Sequence, residues 1–256
     1  MLLNEGTMKT MLKMSKAIEK GALEDIRDYL QNCGTVTTNG ASGVRADKIN
    51  TNLSMMVASE SIDIKLFRRS WWKGVLVVDR ENKMLISVCT RNTLDRVVKD
   101  KTRKSPHYAQ TMVNTINRNE VATVKQMSLF DVCPEFVTEF SEDDYEKDFL
   151  SIMEKTASEY DGYRFWIVSY DVEHYVMKSL NATLMDRNFN KVQEISLLET
   201  LKPNFGDLTV IESGQEKKNN VRGLLSVKNG ISADKSMETE KRTEILPKAI
   251  EESKEA

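Results

Sequence analysis

Two histidines, three cysteines and four prolines are all that 256 residues contain. Each shortage excludes something. His107 and His174 cannot supply a histidine-rich metal site, and the chain has no HExxH motif. Cys33, Cys89 and Cys133 lie far apart, with no CxxC pair among them. That rules out a zinc ribbon or a disulfide framework and reads as reduced thiols in a reducing cytosol. No apolar run approaches the ~18 residues that a membrane helix needs. The opening stretch, MLLNEGTMKTMLKMSK, has neither a long apolar segment nor a small-residue cleavage site. No signal peptide is expected, and a cytoplasmic location is. The glycine-containing stretch CGTVTTNGASG, residues 33–43, lacks the closing Lys-Ser/Thr of a phosphate-binding loop and follows no strand. GxSxG is absent too, and no cysteine pairs with a histidine in a defensible way. With no catalytic constellation, no cofactor and no metal ligand set, the expectation is a protein that binds rather than catalyses.

What is present is a globular composition, 40% hydrophobic and 30% charged. Apolar spacing of three and four predicts helix over Met8–Leu30, with Gly21 breaking or weakening it, and again over Asp47–Ala58. Alternation in SIDIKLF predicts a strand, and GVLVVD and KMLISVCT are two more, joined by the turn RENK. SPHYAQTMVNTINRN reads as a helix with Ser105 as its cap, Pro106 in the first turn, and Tyr108, Met112, Val113 and Ile116 inward. His107 is expected on that helix's surface. Ser141 should cap a second helix, with Tyr145, Phe149, Ile152 and Met153 buried. YRFWIVSYDV and HYVMKSLNATLMD are strands, and RNFN turns the chain into KVQEISL. The whole predicts an α+β fold: a mixed, largely antiparallel sheet with flanking helices. Its expected parts are a helical segment 1–60, a core 61–211, and a disordered tail 212–256.

Charge is segregated. Between Lys65 and Lys104 twelve bases face four acids, an excess of eight positive charges; between Glu135 and Glu173 twelve acids face three bases, an excess of nine negative. The net charge of -2 conceals this. Clustered cations displace condensed counterions from nucleic acid. RRSWWK adds aromatic rings that bases can stack on. Arg68, Arg69, Trp71, Lys73, Arg103 and Lys104 are therefore the expected nucleic-acid contacts. The competing reading has the two segments paired with each other or solvated, and a tryptophan in the core. A metal-dependent nuclease built on Asp79, Asp171 and Glu173 is an alternative, provided that those carboxylates converge.

One short segment stands out in VKQMSLFDV, residues 124–132. Gln126-Met127-Ser128-Leu129-Phe130 resembles the pentapeptide that bacterial replication and repair proteins insert into the sliding clamp. The resemblance implies that Leu129 and Phe130 fill an apolar pocket, Met127 a second site, and Gln126 a polar rim. The same residues could equally form an internal strand with Leu129 and Phe130 in the core.

Over residues 62–201 the chain resembles an uncharacterised family of Gram-positive bacteria and their phages. RRSWWKGVLVVD followed by MLISVCT, then HYAQTMVNTIN, YRFWIVSYDV and NFNKVQEISLLETL, carry the likeness. It implies no activity. It does imply a bacterial or phage cytoplasm. The expected function is thus a non-enzymatic phage or mobile-element protein that docks on host replication or defence machinery, a host protein such as the clamp being the partner. Nucleic-acid binding through 65–104 is the other partner reading. No membrane is expected, and the sequence leaves the oligomeric state open.

Overall fold

The computed structural model describes residues 4–34, 36–69, 72–122 and 139–201. The chain divides into two units, Met1–Phe205 and Gly206–Ala256. All described residues belong to the first. Trp71, the 126–130 peptide and the 212–256 tail lie outside them.

Three helices come first: α1 (Glu5–Glu19), α2 (Asp25–Asn32) and α3 (Ala41–Met56). Asn4 caps α1, its side chain accepting from the Thr7 N–H at 2.7 Å. A π-helical turn, Lys20–Glu24, joins α1 to α2 where the sequence shows Gly21. The turn brings backbone against backbone. A Cβ on Gly21 would lie 2.7 Å from the Ile49 nitrogen of α3. Helix α3 begins earlier than the expected Asp47, taking up part of the glycine-containing loop.

Six strands form one sheet in sequence order: β1 (Ile62–Arg69), β2 (Trp72–Asp79), β3 (Met84–Thr90), β4 (Arg164–Glu173), β5 (Val176–Met185) and β6 (Lys191–Ser196). Neighbours are antiparallel except β3 and β4, which are parallel. A parallel pair needs a crossover. Here it carries α4 (Arg91–Lys99), α5 (Tyr108–Ile116) and α6 (Glu142–Met153).

Both faces of the sheet are covered, which explains why the middle strands read as apolar runs and not as alternation. On one face Met11, Met14, Ile18 and Leu53 meet Val77, Ile86, Trp166 and Val168. The segment 1–60 therefore shares a core with the sheet. On the other face Met112, Val113, Phe149 and Ile152 meet Leu76, Leu85, Phe165 and Ile167. The fold is α+β with a mixed, mostly antiparallel sheet.

Helix α6 starts as its sequence suggests. Ser141 and Asp144 form a reciprocal capping box, and Tyr145, Phe149, Ile152 and Met153 are buried. Two local expectations are corrected. Ser105 does not cap α5; His107 does, its Nδ1 accepting from the Ala109 N–H at 3.2 Å. The imidazole is thereby drawn in from the surface position expected of it. The basic stretch after β3 also holds an unforeseen helix, α4. Thr90 caps it, accepting from the Thr93 N–H at 3.1 Å, and Leu94 and Val97 bury its inner face.

Candidate functional site

The parallel pairing of β3 with β4 ends at Thr90 opposite Tyr170, β4 running on to Glu173. Ligands of open α/β sheets favour the crevice beyond such strand ends. Here a cavity of about 640 Å³ opens there, within the usual range of small-molecule sites. Its walls come from six elements, Tyr170 of β4 among them. Ser42 and Asn50 stand on α3, Trp72 and Gly74 on β2, and Cys89 and Thr90 at the end of β3. Thr93 and Arg96 lie on α4, and His107 and Tyr108 at the start of α5.

The aromatic wall is built by packing. The Trp72 and Tyr108 rings stack, with centroids 5.4 Å apart and planes at 24°. Phe67 meets Trp72 edge-on at 5.6 Å. A side chain at residue 74 would occupy the same space, because its Cβ would come within 2.6 Å of both the Phe67 and Trp72 rings. Trp72 keeps 38% of its surface exposed. The sequence left its side chain between core and surface; it forms the mouth of a crevice.

Electrostatics around His107 are one-sided. Burial, then the charges of Arg103, Arg69 and Arg96, press its pKa down to about 3. Its Nδ1 already accepts a hydrogen bond, so the neutral ring carries its proton on Nε2. Burial also pushes the Cys89 thiol up to about 12, with Asp95 adding to the effect. Cys89 is a protonated, unreactive thiol. Tyr170 is raised to about 12 by burial, partly offset by Arg45.

The depressed His107 pKa has a stability consequence. The unfolded chain binds a proton near the ordinary value of 6.5 while the folded chain refuses it until about 3. Stability is therefore complete above about pH 6.5 and falls as pH drops through that window. The expected result is that His107→Asn, which keeps a capping oxygen, flattens the loss of stability between pH 6.5 and 4. Urea unfolding across that range checks it. A variant as acid-sensitive as the wild type would contradict it.

The expected nucleic-acid residues divide. Arg69 turns inward, bound to Asp148 at 2.9 Å and donating to the Pro106 carbonyl at 2.8 Å. Thr111 donates to the other oxygen of Asp148. Lys65 reaches Glu154 of the acidic segment at 3.0 Å. The opposed charge blocks thus pair in part. Arg103 is held by Asp100 at 3.3 Å and by the Arg96 carbonyl at 3.2 Å. Arg68 and Lys73 face each other across β1 and β2. Lys73, Arg91, Arg96, Lys99, Lys101 and Lys104 are exposed, and none has a carboxylate partner among the described residues. Arg96 and the threonines of the α4 cap were missed in the sequence. The available signal was Thr90 standing three residues before Thr93, with Leu94 and Val97 at helical spacing.

The three carboxylates of the nuclease alternative do not converge. Asp79 pairs with Met84 at the start of β3, whereas Tyr170, next to Asp171, pairs with Thr90 at its end. Six strand steps of ~3.3 Å put roughly 20 Å between them, too far to share two metals ~4 Å apart. Asp79 instead fixes the β2–β3 turn, accepting from Thr10 Oγ1 at 2.7 Å and from the Asn82 N–H and Nδ2 at 2.9 Å each. Glu173 sits at a tight hairpin whose loop residues His174 and Tyr175 both have positive φ. A larger cavity, about 770 Å³, lies at the other end of β4, but there Glu120 binds Arg164 at 2.9 Å.

Fold and site together define an α+β protein with a basic, aromatic-walled crevice at the end of its parallel strand pairing. Residues 4–248 match a family described as a family of unknown function (DUF5986), and the chain belongs to that family. The match takes in the N-terminal helices and most of the C-terminal stretch, beyond the 62–201 of the initial likeness. No curated protein matches the chain, and no solved structure does. No described helix is long and apolar enough to cross a membrane.

Proposed function

We propose that the protein is a non-enzymatic binding protein whose working surface is the basic side formed by β2, α4 and the approach to α5, and whose ligand on that side is nucleic acid. One observation carries this reading. The inward-turned cations of the basic segment are spoken for, yet Lys73, Arg91, Arg96, Lys99, Lys101 and Lys104 stand exposed without carboxylate partners among the described residues, Arg96 in the wall of the crevice. Such an array gains affinity by releasing condensed counterions from phosphates. The setting is a phage or mobile-element protein in a bacterial cytoplasm, acting at host replication or defence machinery.

The test is fluorescence anisotropy with labelled single-stranded and duplex DNA at low salt. Wild type is expected to bind. Replacing Arg91, Arg96, Lys99 and Lys101 together with Gln is expected to weaken binding more than tenfold, leaving the DNA intact in the presence of Mg²⁺. Absence of binding by wild type would overturn the reading, and cleavage would restore the nuclease alternative with a different ligand set.

A second reading rests on Gln126-Met127-Ser128-Leu129-Phe130. We propose it as a sliding-clamp ligand that brings the protein to replicating DNA. Leu129→Ala with Phe130→Ala is expected to abolish clamp binding without lowering the unfolding midpoint. If the double variant unfolds, those residues belong to a core.

A further inference from the structure

We propose that the crevice where the parallel pairing of β3 with β4 ends is a subsite for one unstacked nucleotide of a single strand, the base lying against Trp72 and the phosphate at the start of α4. The proposal rests on the nucleic-acid reading and gives its site and ligand class.

Three independent features converge on it. The first is shape: the cavity has a volume of about 640 Å³, within the range of small-molecule sites, and is lined by the stacked Trp72 and Tyr108 rings. Aromatic side chains at the mouth of a basic groove are how proteins take up unpaired bases. The indole is held in place from behind. Phe67 and Tyr108 support it, and Gly74 gives it room.

The second is charge. Arg96 lines the cavity and has no ion pair among the described residues. Arg69 and Arg103, outside the lining and paired with Asp148 and Asp100, still lie close enough to repel a proton from His107. Arg45, outside the lining, has a buried Nε–H with no partner among the described residues, and its charge is felt at Tyr170, which does line the cavity. A positive cavity without a compensating carboxylate among its lining residues suits a phosphate.

The third is the local chain path. Thr90 ends β3, caps α4 and lines the cavity with Thr93. The first turn of the helix presents the remaining N–H donors and the positive end of its dipole to that space. Neutral His107 contributes an Nε2–H donor, and Asn50 and Ser42 on α3 add polar groups that can meet a base edge. A duplex keeps its bases stacked and cannot enter. The crevice should therefore prefer single strands, strand ends or gaps.

The experiment uses the full chain and a fluorescein-labelled single-stranded oligonucleotide, with AMP, ribose 5-phosphate and inorganic phosphate as competitors. Arg96→Gln and Ser42→Trp are the variants; Arg96 and Ser42 are exposed, and the added indole would fill the crevice from α3. Trp72→Leu removes the stacking surface, its fold checked by circular dichroism. AMP is expected to displace the strand at concentrations where ribose 5-phosphate and phosphate do not. Each variant should weaken single-strand binding about tenfold, while duplex affinity changes less than threefold for Ser42→Trp. Equal single-strand affinity for wild type and all three variants would overturn the crevice subsite and leave the basic surface standing. Failure of wild type to bind any DNA would overturn both. Equal displacement by AMP and phosphate would show that the cavity takes an anion without reading a base, and would also overturn the subsite.

Discussion

Replacing Asn117 with Ala should destabilise the protein by about 3 kcal/mol or more, because each buried polar group stripped of its partner costs about 1–3. Asn117 follows α5 and is 1% exposed. Its Nδ2 donates to the Phe165 carbonyl at 2.9 Å and to the Met185 carbonyl at 3.0 Å, and its Oδ1 accepts from the Phe165 N–H at 2.8 Å. One side chain thus ties the end of α5 to β4 and β5 at the base of the sheet. Asn117→Asp is the sharper variant. It keeps the acceptor for the Phe165 N–H but sets a carboxylate against two carbonyl oxygens, so it should be worse than Ala above the carboxylate's pKa. Urea midpoints at constant m-value measure both. A loss under 1 kcal/mol for Ala would mean that these bonds contribute little to holding the crossover.

Phe149→Ala should cost about 3–5 kcal/mol, the range for emptying a buried aromatic site. Phe149 is 1% exposed, in the core shared by α5, α6 and the sheet, and its ring meets Tyr160 edge-on at 6.1 Å. The same helix carries Asp148, the anchor for Arg69. Partial loosening of α6 should therefore also release Arg69, and nucleic-acid affinity need not fall with stability. Thermal melts of Phe149→Ala against wild type give the comparison, and an unchanged midpoint would contradict the packing described.

These two residues also mark where the sequence was legible. Phe149 lies in a periodic stripe behind a Ser-x-x-Asp cap, and local pattern suffices to bury it. The strands were equally plain, since β-branched runs bounded by turns need no partner to be recognised. Asn117 was opaque. Its role depends on carbonyls supplied by β4 and β5, which are distant in sequence. Helix α4 was hidden by composition: RNTLDRVVK has only three apolar residues among many charges, so the basic run masked a helix whose inner face is Leu94 and Val97. His107 was misplaced because a Ser-Pro pair imitates a cap two residues too early. The crevice could not be read at all. Its walls come from six elements distant in sequence, and only the tertiary fold brings Arg96, Trp72, Asn50 and Tyr170 around one space. Arg69, placed from sequence on the binding surface, is consumed by Asp148; that pairing follows from α6 lying beside β1.

Binding of nucleic acid by the exposed cations is tested most directly by the salt dependence of single-strand affinity. Each neutralised phosphate contributes a slope of roughly -0.7 in log affinity against log salt for single strands. Wild type should show a steep negative slope. The protein with Arg91, Arg96, Lys99 and Lys101 replaced by Gln should show one shallower by about 2–3, the share of up to four lost contacts at ~0.7 each. Identical slopes for the two proteins, or no binding by wild type at the lowest salt, would contradict a role for this surface in holding nucleic acid.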